Sequence, residues 1–295
     1  MAYNVIVYDV FCYGAISLDI SGRLERQQYE HEQATAIDYR MSVGGDAALA
    51  ALTLSSLGMR VGLAGSPIGD DPMGDYVLWS LEKEGVKALV QKVGKTALTA
   101  IVLDRLKRST ITFHDNTPED EIPIPDDFKS SKYVYVDGCF GRNGAIIAKA
   151  ARAAGIPAQL NLDVPSIRNI GLFDVVIAGE EISKLISDDP VEAARKIYEA
   201  NNGLAIVTLG EMGCICCDGA IVSVPAFDTE AVDTTGAGAA FAAGFMYARL
   251  RGMSLEECLE FASAAGALKV TARGSYRKTS AAEVFDLISA HKNRL

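Results

Sequence analysis

The chain has 295 residues, 49% of them hydrophobic, which suffices for one large α/β domain or two smaller ones around a substantial core. Its formal net charge of −10 is spread along the sequence, with no acidic tail and no Lys/Arg block, which argues against nucleic acid or anionic lipid as a main partner. A small soluble ligand fits better, and an anionic one needs a local positive field from helix N-termini, backbone amides, a metal ion or single basic residues.

Short β-branched runs alternate with Ala-rich helical segments. The pattern predicts a strand from Asn4 to Val10, a helix from Asp46 to Leu57, a strand from Val61 to Ala64 and a helix from Pro72 to Glu84. It resumes with strands Tyr133 to Val136, Ala158 to Leu162, Val175 to Ala178 and Ala205 to Leu209, separated by helices near Asn143 to Ala154 and Pro190 to Ala200. The final third, Gly236 to Ala272 and Ala281 to His291, reads as helix. Such alternation predicts a doubly wound, mostly parallel, Rossmann-like sheet. Two stretches, about 16–43 and 96–114, instead alternate polar and apolar residues with interleaved charges. They predict a small antiparallel β-sheet lid on a single α/β domain spanning 1–295, and lid edges that pair two subunits into a homodimer.

No export signal is expected, because the first basic residue is Arg23 and Asp9 interrupts the N-terminal apolar run. No apolar run is long enough to span a membrane. The six cysteines are too sparse for a disulfide framework, so a cytoplasmic protein with reduced thiols is expected. Cys214, Cys216 and Cys217 fall in an expected strand that puts the first two on one face and the third on the other, which suits packing better than zinc. His31, His114 and His291 are far apart, and none adjoins a Ser or Cys nucleophile motif.

Two glycine-rich turns compete for a phosphate. Gly94-Lys95-Thr96 ends like a P-loop, but Leu89 stands where its first glycine belongs. Gly236-Ala237-Gly238 begins like a dinucleotide fingerprint, but Phe241 stands where the third glycine belongs. The segment Asp233-Thr234-Thr235-Gly236-Ala237-Gly238 is better read as an anion-binding turn opening the apolar helix Ala239 to Arg251, where small residues let a phosphoryl group reach the amides of Ala237, Gly238 and Ala239. The alternative is a tightly packed helix start with no ligand. Upstream, Thr208-Leu209-Gly210-x2-Gly213 ends a strand in a glycine turn. Near the N-terminus, Gly14 to Asp19 and Gly44-Gly45-Asp46 place acidic side chains by glycines, suited to gripping sugar hydroxyls, although Asp46 also reads as an N-cap.

These pieces, with Gly65-x3-Gly69-Asp70-Asp71-x2-Gly74, occur in the order seen in the PfkB, or ribokinase-like, kinases, which the chain resembles nearly end to end. The resemblance implies a Rossmann-like body with a β-lid, transfer of the γ-phosphoryl group of ATP with Mg2+ to a sugar or nucleoside hydroxyl, and often a bound K+. By similarity, Asp19, Gly44, Gly45 and Asp46 contact the acceptor, and Thr208, Gly210 and Gly213 border the nucleotide. Gly236, Ala237 and Gly238 form the anion hole, and Asp233, Thr235, Ala272 and Gly274 help ligate K+.

Three departures qualify that resemblance. The family's catalytic aspartate follows Gly-Ala-Gly, where this chain has Ala239, and a methyl group cannot take the proton of the attacking hydroxyl. Losing a positioned base costs on the order of 10²–10⁴-fold in rate, roughly 3–5 kcal/mol of barrier. Ala178-Gly179-Glu180-Glu181-Ile182 replaces the Asn-x-x-Glu motif that organises Mg2+, leaving Glu180, Glu181, Asn161 and Asp163 as substitutes. Leu49 replaces an asparagine common in relatives, and Arg23, Arg142 and Arg168 could reach an anionic group on the acceptor, although each is more often a solvated surface residue. Ala239 is explained either by a deliberate Asp→Ala change that traps substrates or by a natural pseudokinase acting as a sugar- or nucleotide-binding regulator. The intact signature around it favours the first.

Overall fold

A computed structural model describes residues 7–25, 35–103, 108–114 and 122–293. Chain order runs β1 (Val10–Gly14), β2 (Ser17–Leu24), β3 (Ala36–Gly44), α1 (Asp46–Ser56), β4 (Val61–Gly65), α2 (Pro72–Lys83), β5 (Val86–Ala88), β6 (Leu98–Leu103) and β7 (Arg108–His114). It continues with β8 (Val134–Asp137), α3 (Gly141–Ala153), β9 (Ala158–Leu162), β10 (Val175–Gly179), α4 (Glu180–Ser183), α5 (Pro190–Asn201), β11 (Leu204–Thr208), β12 (Cys214–Cys217), β13 (Ile221–Val224), α6 (Ala237–Leu250), α7 (Leu255–Val270) and α8 (Ala281–Lys292).

The body is a nine-stranded sheet in the order β13-β12-β11-β10-β9-β8-β1-β4-β5. All neighbours from β11 to β5 pair in parallel, and β12 and β13 close one edge as an antiparallel hairpin. Helices cover both faces, so the strands alternate between two apolar layers rather than between core and water. Val10, Cys12, Tyr133 and Tyr135 face the layer of α1, α6, α7 and α8, while Phe11, Tyr13, Val134 and Val136 face that of α3 and α5. Cys214 and Cys216 join the first layer and Cys217 the second, all three as free, buried thiols, so this cluster is strand packing.

The first strand lies later than the β-branched run suggests. Asn4–Val10 was the expected span, residues 4–6 lie outside the described residues, and the ladder to β4 and β8 is formed by Val10–Gly14. Phe11, Cys12 and Tyr13 are fully buried between two neighbours, and the aromatic pair favours strand as well as the β-branched run before it does. The helical final third divides at Arg251 to Ser254. Ser254 begins α7 with a reciprocal capping box to Glu257, a start signal inside an apolar run.

The lid is a separate four-stranded sheet in the order β3-β2-β6-β7. Its outer pairs are antiparallel and its central pair, β2 with β6, is parallel, because both of these strands leave the body in the same direction. Residues 26–34 and 104–107 of the expected lid segments lie outside the described residues. Asp71 ties the lid's root to the body. As the N-cap of α2 it accepts from the Gly74 amide at 2.8 Å, and also from Thr96 through the amide at 2.9 Å and the hydroxyl at 2.8 Å, just before β6. The Gly-Asp-Asp-x-x-Gly stretch therefore fastens the start of α2 to the segment that leads into β6.

These hydrogen bonds, those from Thr96 foremost, hold the Asp71 carboxyl below its ordinary range. A depressed carboxylate stabilises the fold above its unfolded-state pKa, and the contribution fades as pH falls through the folded value. Asp71→Ala is expected to cost about 1 kcal/mol in urea unfolding at neutral pH, with a smaller difference from the parent in acid.

Candidate functional site

The parallel strands end on one edge of the sheet, at Gly14, Gly65, Asp137, Leu162, Gly179 and Thr208. Open α/β sheets place ligands at that edge, beyond the strand C-termini. Most of the residues singled out in the sequence converge there, and two polar residues not singled out join them.

An acidic patch forms where β1, β2, β8 and β9 meet α1. Asp46 opens α1 and accepts from Asn161 Nδ2 at 2.8 Å, and Asp137 accepts from the Ala15 amide at 3.1 Å and the Cys139 amide at 3.1 Å. Asp19, 5% exposed, accepts from Ser17 at 3.3 Å and from Ser275 at 2.5 Å. The β3–α1 turn reaches this patch because it lacks side chains. A Cβ on Gly44 would stand 1.9 Å from Asp19 Oδ1, and one on Gly45, whose φ is +89°, 2.3 Å from the Ala15 carbonyl oxygen.

Burial, and at Asp46 the charge of its neighbours, shifts the carboxyls of the patch. Burial first, then the Asp137 charge, pushes Asp46 up to about 7, against the opposing hydrogen bond from Asn161. Burial also raises Asp19, opposed by the bonds from Ser275 and Ser17, and raises Asp137, opposed chiefly by Cys139. Carboxylates with spare acceptor capacity in a half-enclosed site suit a ligand rich in hydroxyl donors.

The anion turn lies beside this patch. Gly236 caps α6 at φ +80°, and no side chain caps the helix. A Cβ on Gly236 would stand 2.0 Å from the Ser275 carbonyl oxygen. Ser275 thus touches the turn with its main chain and Asp19 with its side chain. The Ala237 amide donates to Thr234 at 3.2 Å, while those of Gly238 and Ala239 have no protein acceptor among the described residues. Nothing lies within 4 Å of a Cβ position on Gly238, so the start of the helix is uncrowded on that side, and its first amides carry the positive end of the dipole. The Ala239 side chain packs inward, in the same apolar layer as Leu49, whose Cδ1 lies 3.4 Å from the Gly236 Cβ position.

Asp233 anchors the entry to the turn. Its carboxylate accepts from the Thr235 amide at 2.9 Å and from the Gly274 amide at 3.0 Å, which draws the segment after α7, including Ala272, against the segment before α6. Between this loop and the lid lies a cavity of about 100 Å³ lined by Arg23, Arg40, Asp38 and Arg273. Arg273 is paired to Asp38 at 2.6 Å. Arg142 and Arg168 are exposed on α3 and on the turn after β9, apart from this cavity.

The nucleotide-side residues sit farther along the sheet edge. Thr208 ends β11, and Gly210 and Gly213 bracket the one-turn helix Gly210–Met212 leading into β12. No hydrogen bond among the described residues joins this segment to the Gly236 turn. Asp163 caps the turn after β9 through the Val164 amide at 2.6 Å, and Asn161 is committed to Asp46. Glu180 pairs with Lys184 at 2.7 Å, and Glu181 is exposed. Among the described residues no group of three or more His, Cys, Asp or Glu side chains is poised to hold a metal. Asp137 and Ser275 were absent from the sequence reading. Asp137 had one available signal, an acidic residue closing the apolar strand Tyr133–Val136 before Gly138.

The Asp46 shift fixes the sign of a pH effect. The unfolded carboxyl titrates near 3.8 and the folded one at about 7, so in between the folded state holds the extra proton and stability falls as pH rises. Thermal unfolding of the ligand-free protein is expected to show its melting temperature declining from about pH 4 to about pH 7 and then levelling. Asp46→Asn should reduce that slope without abolishing it, because Asp19 and Asp137 shift in the same direction.

A family model described as pfkB family carbohydrate kinase matches residues 8–282. An ATP-dependent ribose-1-phosphate kinase of Halopiger xanaduensis is 28% identical over 294 residues, covering 94% of this chain and 96% of its own. A nucleoside kinase of Methanothermobacter thermautotrophicus is 30% identical over 268 residues, 83% and 84% of the two chains. Arabidopsis thaliana ribokinase, solved with ribose and ATP, shares the fold at a TM-score of 0.81 and 22% identity, covering 96% of this chain and 99% of that one. A family match spanning nearly the whole sequence, on a ribokinase-like body with its separate lid, means that this chain belongs to the pfkB family of carbohydrate kinases.

Proposed function

We propose that the site is built for ATP- and Mg2+-dependent phosphorylation of a hydroxyl on a sugar or nucleoside, and that this chain, with Ala239, binds both substrates but transfers the phosphoryl group slowly. One observation carries the reading. The uncapped amides of Gly238 and Ala239 open beside the Asp19–Asp46–Asp137 patch, with Ser275 bonded to one and packed on the other. An anion and a polyol are thereby given adjacent seats.

The division of labour follows from charge. The acidic patch repels phosphate and accepts from hydroxyls, so it holds the acceptor. The α6 N-terminus attracts the phosphoryl group and stabilises charge spreading over its oxygens during transfer. Mg2+ would arrive with the nucleotide, as it commonly does when few carboxylates are offered, and neutralise the phosphates. The attacking hydroxyl must lose a proton, and the residue that follows the anion hole offers only a methyl group.

The regulatory reading has its own support. Gly179 presents no side chain where the motif's asparagine belongs, and Glu180 is engaged by Lys184. A protein that closes its lid on a sugar or nucleotide without turnover fits those losses. The acceptor class follows these two relatives, ribose-1-phosphate or a nucleoside, and Arg23, which lines the lid cavity together with Asp233, is a candidate to meet an acceptor's phosphate.

The partner in solution is a second copy of the chain. β3 turns Ile37, Tyr39 and Met41 outward from alternate positions, so they share one face of a lid edge strand and stay exposed. Light scattering is expected to give a dimer, and Tyr39→Asp a monomer. Ala239→Asp is expected to raise kcat by on the order of 10²–10⁴-fold with ribose-1-phosphate, ribose or a nucleoside as acceptor. No ATP turnover by that variant across a broad sugar and nucleoside panel would leave the regulatory reading standing.

A further inference from the structure

The residues that the family resemblance assigns to K+ already have a cation among them. Lys269, in the last turn of α7, is 3% exposed. Its ammonium donates to the Asp233 carbonyl oxygen at 2.8 Å and approaches the Ala272 carbonyl oxygen at 3.5 Å. Those carbonyls belong to the two segments expected to surround the ion. The same segments are joined by the Asp233 carboxylate, which bonds the Thr235 and Gly274 amides, and by Val232 and Asp233, whose amides both donate to the Val270 carbonyl.

A buried lysine requires acceptors in place of water, and its ammonium supplies three donors and one positive charge. K+ in a protein cage asks for the same things: carbonyl oxygens in place of its hydration shell, around a single charge. Both cannot occupy one buried carbonyl cluster, since two like charges in contact away from water repel strongly. The chain's residues therefore do not fit a free K+ at this place.

We propose that Lys269 is a built-in monovalent cation. Its ammonium fills the carbonyl cluster between the segments before α6 and after α7, and it holds the Asp233–Gly236 entry to the anion turn without any dissolved ion. The ion that a cage without this lysine would recruit reversibly is here covalently attached, so loop order should not depend on the salt. The effect on the nucleotide rests on the kinase reading, whereas the effect on the loop does not.

The test begins with the ligand-free chain, melted at fixed ionic strength in KCl, NaCl or tetramethylammonium chloride. The expected result is the same melting temperature in all three, and a saturable rise specific to K+ would overturn the proposal. Lys269→Met keeps the stem and removes the charge, and it is expected to acquire a K+-specific, saturable rise on the order of 5 °C. A folded Lys269→Met protein indifferent to K+ would also overturn it, because Lys269 would then be an ordinary packing residue. Lys269→Gln, which keeps a donor but no charge, decides in the same way if the methionine variant does not fold. Calorimetric affinity for ATP with Mg2+ should likewise be unchanged between K+ and tetramethylammonium. If ATP does not bind at all, the kinase reading fails while the melting experiment still decides the role of Lys269.

Discussion

The Ser275 carbonyl oxygen stands 2.0 Å from where a Cβ on Gly236 would be, and the hydroxyl of the same residue is bonded to Asp19, 256 positions earlier in the chain. Three parts of the molecule meet at this contact: the start of α6, the loop after α7 and the first lid strand. A side chain at 236 would push the C-terminal loop away, and with it the partner of Asp19 and the amide of Gly274 that holds Asp233. The tightness of the approach is what sets an acceptor-type patch next to an anion-type turn. Catalysis by positioning, which phosphoryl transfer relies on, needs that adjacency more than it needs any single strong interaction.

Charge separation organises the rest. The patch beneath the lid gathers Asp19, Asp46 and Asp137, where burial raises all three carboxyls and the charges of Asp137 and Asp19 raise Asp46 further. Beside it, α6 starts without a side-chain cap, so its first amides stay open to a ligand. On the proposed reading, two fields of opposite sign side by side sort two substrates without any basic cluster, which would reconcile an acidic chain with an anionic nucleotide. Lys269 extends the same economy, placing one buried positive charge behind the anion turn, bonded to main-chain oxygens. On the proposed reading, the methyl of Ala239 leaves this arrangement in place and offers no proton acceptor to it.

Much of the fold was legible because its signals are local. The parallel body strands β4, β8, β9, β10 and β11 were found within a residue or so, since buried β-branched runs bounded by glycine need no partner to be recognised. β1 was expected at Asn4–Val10, on the β-branched run, whereas the ladder to β4 and β8 uses the aromatic stretch that follows, Val10–Gly14. The parallel pairing of β2 with β6 across the lid had no local mark. Asp137 and Ser275 escaped for a related reason: neither lies in a glycine-rich motif, and each acquires its role from a residue far away in sequence.

The order of the chain was enough to identify an α/β body with a lid, a glycine turn opening a helix and acidic residues beside glycines. Each of those depends on residue type and spacing over a few positions, which backbone geometry reads directly. The tertiary fold alone decided which groups share a site: Asp19 with Ser275, Asp46 with Asn161, and Lys269 with the Asp233 carbonyl. Burial then set the protonation of the carboxylates and placed an ammonium where an ion was expected. Such effects arise from desolvation and from contacts across more than a hundred residues in the first two cases and 36 in the third, and no local pattern encodes either.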